Sequence, residues 1–250
     1  MKITAHRGGS SLAPENTLAA FNKAAELGCE WIEIDVQLSI DEVPVVIHDQ
    51  TVERCTDGSG AVSSMTLDSL KSLDAGLWFG EEFRDERIPT LEETLLLARN
   101  TNLNVNIEIK LYRQDDLVLL CEKIKKVIID LDVEASQILF SSFNIEALKY
   151  MQYHQPQIRR GLLVETIPAN VLLLLAEIEA YSLHCNYVFL KEQQAKLIKK
   201  SGYQLYCYTP NSPQQVSQHW DWGVDMMITD VPQAYINILT YDKFKLINSN

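Results

Sequence analysis

The regular alternation of strand-like and helix-like segments constrains the fold of this chain more than any other feature. Short apolar runs are each followed by a segment with helical spacing, and eight such units fit within the 250 residues. With the hairpin at 31–48 counted as one unit, the predicted strands lie at 2–6, 31–48, 104–111, 137–142, 159–164, 186–190, 203–208 and 225–229. Eight alternating units predict an α/β protein with a TIM-type (β/α)₈ barrel. A doubly wound sheet is the alternative, but the sequence lacks its Gly-rich dinucleotide fingerprint.

One irregular segment interrupts this alternation. Residues 51–89 contain Gly-rich turns at 57–60 and 76–80, and loops of this length are uncommon unless they serve a site. We predict a single barrel domain over residues 1–250, with a small insertion at about 51–89, between the His48 strand and the following helix. A first helix is predicted to open near Pro14, and later helices are predicted at 91–99, 115–130, 144–153, 168–180, 192–200, 213–221 and 232–240.

Composition and charge narrow the possible partners. The formal net charge is −12, with 34 acidic and 22 basic residues, which argues against nucleic acid or an anionic membrane surface as the main partner. No apolar run has the length of a membrane span, and the first residues lack a signal-peptide apolar region. We therefore expect a cytoplasmic protein without stable membrane association. The five cysteines form no C-x-x-C pair, which predicts free thiols, and the oligomeric state is left open.

Two carboxylates share one face of the predicted strand at 31–36. Side chains alternate along a strand, so Glu33 and Asp35 point to the side opposite Ile32 and Ile34. Neighbouring carboxylates repel, and such a pair is tolerated when a cation or a strong hydrogen-bond donor lies between them. A lone pattern of this kind is more often the solvated face of a half-buried strand.

The hairpin at 31–48 brings a histidine to these carboxylates. If residues 41–42 form its tip, counting back pairs Asp35 with His48. A lone histidine is nevertheless more often a hydrogen-bonded structural residue. Structural roles are assigned to the histidines that lack catalytic or ligand spacing: His154, His184 and His219.

The predicted strand at 104–111 carries a further charged pair. Glu108 and Lys110 lie two positions apart and therefore share a face. An ion pair without chemistry is an equally good interpretation of that spacing. Asp225 and Asp230 flank the last predicted strand, and we predict that they are structural caps rather than residues of the catalytic face.

The carboxyl ends of barrel strands meet at one mouth, where charged side chains from several strands converge. The side chains predicted to meet there are His6, Arg7, Glu33, Asp35, His48, Glu108 and Lys110. Carboxylate oxygens suit Mg²⁺ or Ca²⁺, which can polarise phosphoryl oxygens. Guanidinium and ammonium groups suit phosphate, and imidazoles can exchange protons near neutral pH. The set therefore meets the needs of phosphodiester hydrolysis.

The order and spacing of several motifs resemble the glycerophosphodiester phosphodiesterase family. The motifs are His6-Arg7-Gly8, Pro14-Glu15-Asn16-Thr17, Glu33-x-Asp35, Pro44-Val45-Val46-x-His48-Asp49, Ile88-Pro89-Thr90-Leu91-Glu92-Glu93, Ile107-Glu108-x-Lys110, Tyr208-Thr209-Pro210-Asn211 and the segment 223–230. The resemblance extends over nearly the whole chain, and although each motif is short, together they are highly specific.

The resemblance implies a TIM-type barrel that cleaves glycerophosphodiesters to glycerol 3-phosphate and an alcohol with the help of one divalent cation, Mg²⁺ or Ca²⁺. It also implies a role for each residue of the set. His6 and His48 resemble the acid/base pair of the family. The expected metal ligands are Glu33, Asp35 and Glu108. The expected contacts to the substrate phosphate are Arg7 and Lys110.

The sequence departs from the family pattern at a few positions. Glu42 stands where the hairpin usually carries Gly, and Cys55 replaces a Thr after Arg54. Tyr208 and Pro210 replace the usual Trp and Val of the late motif. The first two positions lie outside the predicted chemistry, whereas the late motif bears on the preference for the alcohol.

Some alternatives stay open at this point. A lysophospholipase D-type enzyme of the same superfamily would act on single-chain lipids, and a catalytically silent protein would bind phosphodiesters without cleaving them. The second is disfavoured because both histidines and all three carboxylates are present. The sequence does not distinguish attack by water from attack by the 2-hydroxyl of the glycerol. It also does not assign acid and base to the individual histidines.

Overall fold

Eight parallel strands close into a barrel in the computed structural model, which describes residues 2–113 and 115–236. The strands in chain order are β1 (Ile3–His6), β2 (Trp31–Leu38), β3 (Pro44–Val46), β4 (Asn104–Ile109), β5 (Ile138–Ser142), β6 (Arg159–Val164), β7 (Ser182–Asn186), β8 (Gln204–Tyr208) and β9 (Met226–Thr229). Strand β3 pairs antiparallel with β2 and stands outside the ring, which closes through β1–β2 and β1–β9 pairing. The predicted TIM-type (β/α)₈ barrel is therefore confirmed.

Helices alternate with the strands and cover the outside of the barrel. The helices are α1 (Leu18–Glu26), α2 (Leu67–Ser72), α3 (Leu91–Thr101), α4 (Leu117–Asp130), α5 (Ile145–His154), α6 (Val171–Glu177), α7 (Glu192–Lys200) and α8 (Ser217–Asp221). Local capping starts several of them. Before α3, for example, Thr90 Oγ1 accepts from the Glu93 backbone N–H, while the Glu93 carboxylate accepts from the Thr90 N–H. Among the described helices, none combines the length and the apolar character needed to cross a bilayer.

The alternation of side chains along β2 separates the apolar core from the polar interior. Ile32, Ile34 and Val36 are fully buried in the large core that the strands share with the surrounding helices. Glu33 and Asp35 point the other way, into the barrel, and are also almost fully buried. The polar face of this strand is therefore not a solvated surface.

The predicted insertion packs on the hairpin rather than on the main core. Val52, Val62 and Leu70 form a second, smaller core with Val45 and Ile47 of the hairpin. Helix α2 lies within this segment. The insertion is thereby fixed beside the chain that leads out of β3, which carries His48. The five cysteines, all within the described part of the chain, are free and buried.

The predicted strand at 186–190 was wrong. The strand is β7, and residues 187–189 form a 3₁₀ turn instead. The Asn186 side chain accepts a hydrogen bond from the Val188 N–H at 3.0 Å, which turns the chain, and Val188 is 62% exposed. An apolar run was read as a buried strand, whereas the true strand alternates polar residues inside the barrel with Leu183 and Cys185 outside it.

Helix boundaries differ in smaller ways. The segment predicted at 168–180 is helical only over α6. The segment predicted at 213–221 begins with a 3₁₀ turn at Pro213–Val216 before α8. In the segment predicted at 232–240, residues 232–236 are helical, and residues 237–240 lie outside the described residues.

Candidate active site

Strand register brings the predicted ligands together at the carboxyl ends of the barrel strands. In the β1–β2 pair, His6 lies beside Glu33. In the β2–β4 pair, Asp35 lies beside Glu108. Because the strands are parallel, these inward-facing side chains reach the same end of the barrel.

Glu33, Asp35 and Glu108 form one carboxylate cluster. Each offers an oxygen, and these oxygens all lie within 4.8 Å of one another. Glu33 Oε1 and Asp35 Oδ1 are buried and have no hydrogen-bond partner among the described residues. Buried carboxylate oxygens that accept no hydrogen bond are costly, even where an ammonium group lies near one of them as Lys110 does near Asp35, and such oxygens match what a hard divalent cation requires. The residues therefore fit a Mg²⁺ or Ca²⁺ site.

The protonation of the cluster follows from burial and from its cations. Burial, together with repulsion from Asp35 and Glu108, raises the pKa of Glu33 well above its usual value. Burial and repulsion from Asp35 raise the pKa of Glu108 to about 7. Burial also opposes the charge of Asp35, but Lys110 and Arg7 outweigh it and lower the pKa of Asp35. Without a cation, the cluster therefore holds protons at a pH where free carboxylates have lost them.

The two predicted phosphate contacts flank this cluster. Arg7 Nε lies 3.3 Å from Asp35 Oδ2, and the Arg7 backbone N–H donates to Glu33 Oε2 at 3.2 Å. Lys110 Nζ lies 3.0 Å from Glu108 Oε1 and 3.3 Å from Asp35 Oδ1. The ion pair between Glu108 and Lys110 exists, but it lies inside the barrel mouth and not on a solvated strand.

A carboxylate at the end of the last barrel strand holds His6. Its Nδ1 lies 2.6 Å from Asp230 Oδ1, and its Nε2 lies 3.7 Å from Glu33 Oε2. Burial opposes the charge of Asp230, but the contact with His6 and the hydrogen bonds from Asn211 and Ser10 together outweigh it and lower the pKa of Asp230 to about 2. An ionised carboxylate can only accept, so Nδ1 carries the proton and Nε2 is left to exchange protons with a substrate.

His48 is held in the same way by its chain neighbour. Its Nδ1 lies 2.7 Å from Asp49 Oδ1. A hydrogen bond from Arg54 is the main reason that the pKa of Asp49 falls to about 2. Burial lowers the pKa of His48 itself. The loop is fixed by Gln37, whose side-chain nitrogen donates to the carbonyl oxygens of residues 47, 48 and 49.

The predicted pairing of Asp35 with His48 was wrong by one residue. Val36 pairs with Val46, so the Ile47 N–H donates to the Asp35 carbonyl at 3.0 Å. Strand β3 ends at Val46, and the chain bends at residues 48–50. This bend still turns the His48 side chain into the cavity that Glu33 and Glu108 line.

Sequence reasoning missed several residues that hold the set in place. Asp230 was predicted to be a structural cap, but it contacts His6. Asp225 does have a structural role, since its carboxylate accepts from the Leu205 N–H and pairs with Lys199. Asn16 was read as part of a helix start, but it lies in a loop and donates to Asp35 Oδ2 at 3.0 Å. Position at the carboxyl end of a predicted strand was the signal available for Asp230.

The other histidines lie outside this constellation. His184 is fully buried in the barrel with its Nε2 2.8 Å from Ser182 Oγ. His219 Nε2 lies 3.0 Å from the Tyr187 carbonyl. His154 ends α5 and stacks on Tyr150. These contacts agree with the structural roles predicted for them.

The constellation opens into one cavity of about 270 Å³, near the lower end of the roughly 300–1,000 Å³ of small-molecule sites. Its charged side holds both histidines, Arg7 and Lys110, and its other side is largely apolar. The apolar side is lined by Phe143, Leu163, Tyr208 and Ile228. Phe143 is 53% exposed and meets the Tyr208 ring edge to face, with the centroids 6.2 Å apart. The cavity therefore suits a ligand with an anionic end and a less polar end.

Comparison with known proteins identifies the family to which the chain belongs. The model of the glycerophosphoryl diester phosphodiesterase family matches residues 6–234. The chain belongs to this family. The resemblance of the motifs and the expected classification as a phosphodiesterase are thereby confirmed, and the family match extends over all of the predicted site residues.

Individual relatives agree with this membership over nearly their full length. The chain is 40% identical over 240 residues to a glycerophosphodiester phosphodiesterase of Caldanaerobacter subterraneus subsp. tengcongensis, covering 95% of this chain and 97% of that protein. A solved phosphodiesterase of Oleispira antarctica, in complex with the product sn-glycerol-3-phosphate, superposes with a TM-score of 0.89 at 36% identity, over 93% of this chain and 94% of that chain. A glycerophosphodiester phosphodiesterase from Agrobacterium tumefaciens has a TM-score of 0.79 at 28% identity, over 95% and 99% of the two chains.

Proposed function

We propose that this protein hydrolyses glycerophosphodiesters to glycerol 3-phosphate and an alcohol, with one bound divalent cation and with His6 and His48 as the proton-exchanging pair. The observation that carries the proposal is the buried carboxylate cluster flanked by two imidazoles in one cavity. Family membership supports the reaction class, and the product bound to the Oleispira antarctica relative supports the glycerol 3-phosphate half of the substrate.

The cation would be held by Glu33, Asp35 and Glu108, whose oxygens already lie close together. All three ligands offer oxygen, so Mg²⁺ and Ca²⁺ are the candidates. When bound, the ion would polarise the phosphoryl oxygens and stabilise the negative charge of the transition state. Its charge would also offset the burial and the repulsion that together keep protons on Glu33 and Glu108.

The protein's own cations bind the phosphate. Arg7 and Lys110 line the cavity and keep their positive charges, since Asp35 and neighbouring carboxylates outweigh the effect of burial and raise the pKa of each. The planar guanidinium of Arg7 can contact two oxygens, whereas Lys110 acts as a point charge. Both contacts orient the phosphorus atom between the two histidines.

The histidines carry the protons. One imidazole takes the proton of the nucleophile at its free Nε2, and the other gives a proton to the departing alkoxide. Asp230 and Asp49 hold the Nδ1–H of each ring, so both rings present Nε2. The carboxylates also stabilise each ring while it is positively charged.

A lysophospholipase D-type activity is the second candidate. The observation that favours it is the apolar side of the cavity, where Phe143 stays 53% exposed beside Tyr208. An acyl chain would bury this ring, whereas a small alcohol would leave it partly in water. A comparison of glycerophosphocholine with lysophosphatidylcholine at equal concentration separates the two activities.

The test is hydrolysis of a panel of glycerophosphodiesters with and without a chelator, followed by addition of Mg²⁺ or Ca²⁺. We expect turnover that the chelator abolishes and one of the two ions restores. His6→Ala and His48→Ala should each lose activity, whereas His154→Ala, which changes a histidine outside the cavity, should not. Wild-type turnover in either histidine variant, or full activity in chelator, would refute the proposal.

The nucleophile is decided in the same assay. Attack by the 2-hydroxyl gives a cyclic glycerophosphate before glycerol 3-phosphate, whereas attack by water gives the final product directly. Phosphorus NMR during turnover distinguishes the two routes, because the cyclic ester is a separate chemical species. Its transient appearance indicates the first route, and its absence at early times indicates the second.

A further inference from the structure

Arg54 lies outside the cavity and connects the surroundings of His48 with those of Arg7. It lies in the insertion, and its guanidinium binds two carboxylates on two edges. On one edge, Nε and Nη2 donate to the two Asp49 oxygens at 2.6 and 3.1 Å. On the other edge, Nη1 and Nη2 donate to the two Glu15 oxygens at 2.7 and 2.8 Å. Two bidentate pairs on one guanidinium leave it little freedom to rotate.

Each carboxylate continues inward to a residue of the proposed chemistry. Asp49 Oδ1 accepts from His48 Nδ1 at 2.7 Å. Glu15 Oε1 accepts from Arg7 Nη1 at 2.8 Å. Hydrogen-bond donors and carboxylate acceptors therefore alternate along a chain that runs from His48 through Arg54 to Arg7. The chain connects a proton-exchanging ring with a phosphate contact, although neither touches the other directly in this network.

We propose that Arg54 is a positioning residue, which fixes the orientation of His48 and of Arg7 at the same time; this rests on the proposed function of the two residues. The insertion would then have a role in the reaction, because it supplies the group that ties the hairpin loop of Asp49 to the loop of Glu15.

The energetics favour positioning over plain stability. Arg54 is 45% exposed, and exposed ion pairs contribute little to folding because water screens them. Planar, bidentate geometry instead gives directional precision, which a lysine ammonium cannot reproduce on two edges at once. Burial and the Arg54 hydrogen bond act in opposite directions on Glu15, and the hydrogen bond contributes to lowering the pKa of that carboxyl. Both carboxylates thus stay charged and keep their two neighbours in place.

Steady-state kinetics distinguishes the effect of Arg54 through Asp49 on His48 from its effect through Glu15 on Arg7. Asp49→Asn disturbs the ring that exchanges protons, so kcat should fall about 10- to 100-fold, as for other outer-shell partners, with KM within threefold of wild type. Glu15→Gln frees the phosphate contact, so KM should rise severalfold with a smaller change in kcat. Arg54→Met should change both constants, and Arg54→Lys should restore only part of the loss. The matched control is Arg84→Met, which removes another bidentate arginine of the insertion, bound to Glu81 outside the cavity.

Coupling within the network gives a second readout. If Arg54 acts through Asp49 and Glu15, the double variant Arg54→Met/Asp49→Asn should lose no more kcat, relative to Asp49→Asn alone, than the small loss that Glu15→Gln causes. A merely structural role predicts that the kcat losses of the two single variants multiply in the double variant. It also predicts that Arg54→Met lowers the fraction of folded protein, seen as a lower Tm in a thermal melt, with KM unchanged. Either result overturns the proposal. So do constants for Arg54→Met within twofold of wild type. An inactive wild type would instead refute the proposed function, and the role of Arg54 with it.

Discussion

His6 Nδ1 lies 2.6 Å from Asp230 Oδ1, although the two residues are 224 positions apart. The contact exists because β1 pairs with β9 and closes the barrel. Asp230 also accepts from Asn211 Nδ2 at 2.7 Å and from Ser10 Oγ at 3.1 Å, so three groups fix its carboxylate. Closure of the barrel thus sets the tautomer of a proposed catalytic ring.

The Asp230→Asn variant tests this contact. The amide can donate as well as accept, so His6 loses the fixed Nδ1–H, and we expect kcat to fall about 10- to 100-fold. KM should stay within threefold, because Asp230 does not line the cavity. Steady-state kinetics with a glycerophosphodiester measures both constants. Asp225→Asn, at the other end of β9, is the control, and equal kcat values in the two variants would contradict the prediction.

Binding of a cation should stabilise the protein more as the pH rises. Burial and Asp35 raise the pKa of Glu108 to about 7, so without metal its stabilising contribution is complete below the unfolded value of about 4.5 and is lost as the pH rises through 7. A cation replaces that proton. At about 100 times Kd the gain is about 2.7 kcal/mol, or roughly 5–10 °C in Tm. Thermal melts with Mg²⁺, Ca²⁺ or chelator between pH 5 and pH 8 measure this gain.

The Glu108→Gln variant is the control for that series. It removes both a ligand oxygen with a charge and the titrating proton, so the ion-dependent rise in Tm should become small and nearly independent of pH. Equal stabilisation of the wild type by the ion at pH 5 and pH 8 would contradict the assignment of these carboxylates as ligands.

Gly8 is required where the loop of His6 and Arg7 meets α1. Its φ is +86°, and a Cβ would lie 2.7 Å from backbone and side-chain atoms of Ala20. Gly8→Ala should therefore add roughly 1–3 kcal/mol of overpacking to about 1–2 kcal/mol of left-handed strain. We also expect more than a tenfold loss of kcat/KM, because relief of the clash moves the loop. Gly202→Ala, with a φ of +90° and no atom within 4 Å, should show the strain alone. Equal unfolding free energies for the two variants would refute the packing argument.

Much of the barrel could be predicted because its signals are local. Period-two alternation marked Glu33 and Asp35 as one face, and helical spacing marked the segments between strands. The error at β7 has a physical cause, since Asn186 turns the chain and leaves Val188 in solvent, which an apolar run alone does not reveal. Glu42 shows how little the residue type at a single position predicts about its backbone conformation and its distant contacts. It adopts φ +62°, which explains the glycine usual in the family, but Glu42 also pairs with Lys123 of a distant helix at 2.7 Å.

The sequence predicted those residues of the candidate site whose type indicates their chemistry. It did not predict those whose role depends on long-range contacts. Histidines and carboxylates at strand ends were visible in the sequence. The partner of His6 was not, because only barrel closure brings Asp230 to it. The network through Arg54 was also hidden, since it joins loops far apart in the chain. Supporting residues of this kind have ordinary types and positions, and their roles become visible only from the distances.

His184 should make the wild type sensitive to acid. Burial lowers the pKa of this imidazole from about 6.5 to about 3. Its contribution to stability is therefore complete above pH 6.5 and is lost progressively as the pH falls towards 3, since the unfolded chain takes up a proton that the folded chain refuses. Between pH 6.5 and pH 5 this loss of stability amounts to about 2 kcal/mol, from about 1.4 kcal/mol for each pH unit.

In the His184→Asn variant this pH dependence of stability is absent. The variant should be less stable than wild type at pH 7, because it loses packing and the contact to Ser182, but the difference should shrink by about 2 kcal/mol at pH 5. Urea unfolding at both pH values measures it, and a difference that does not change with pH would show that the ring is protonated in the folded protein.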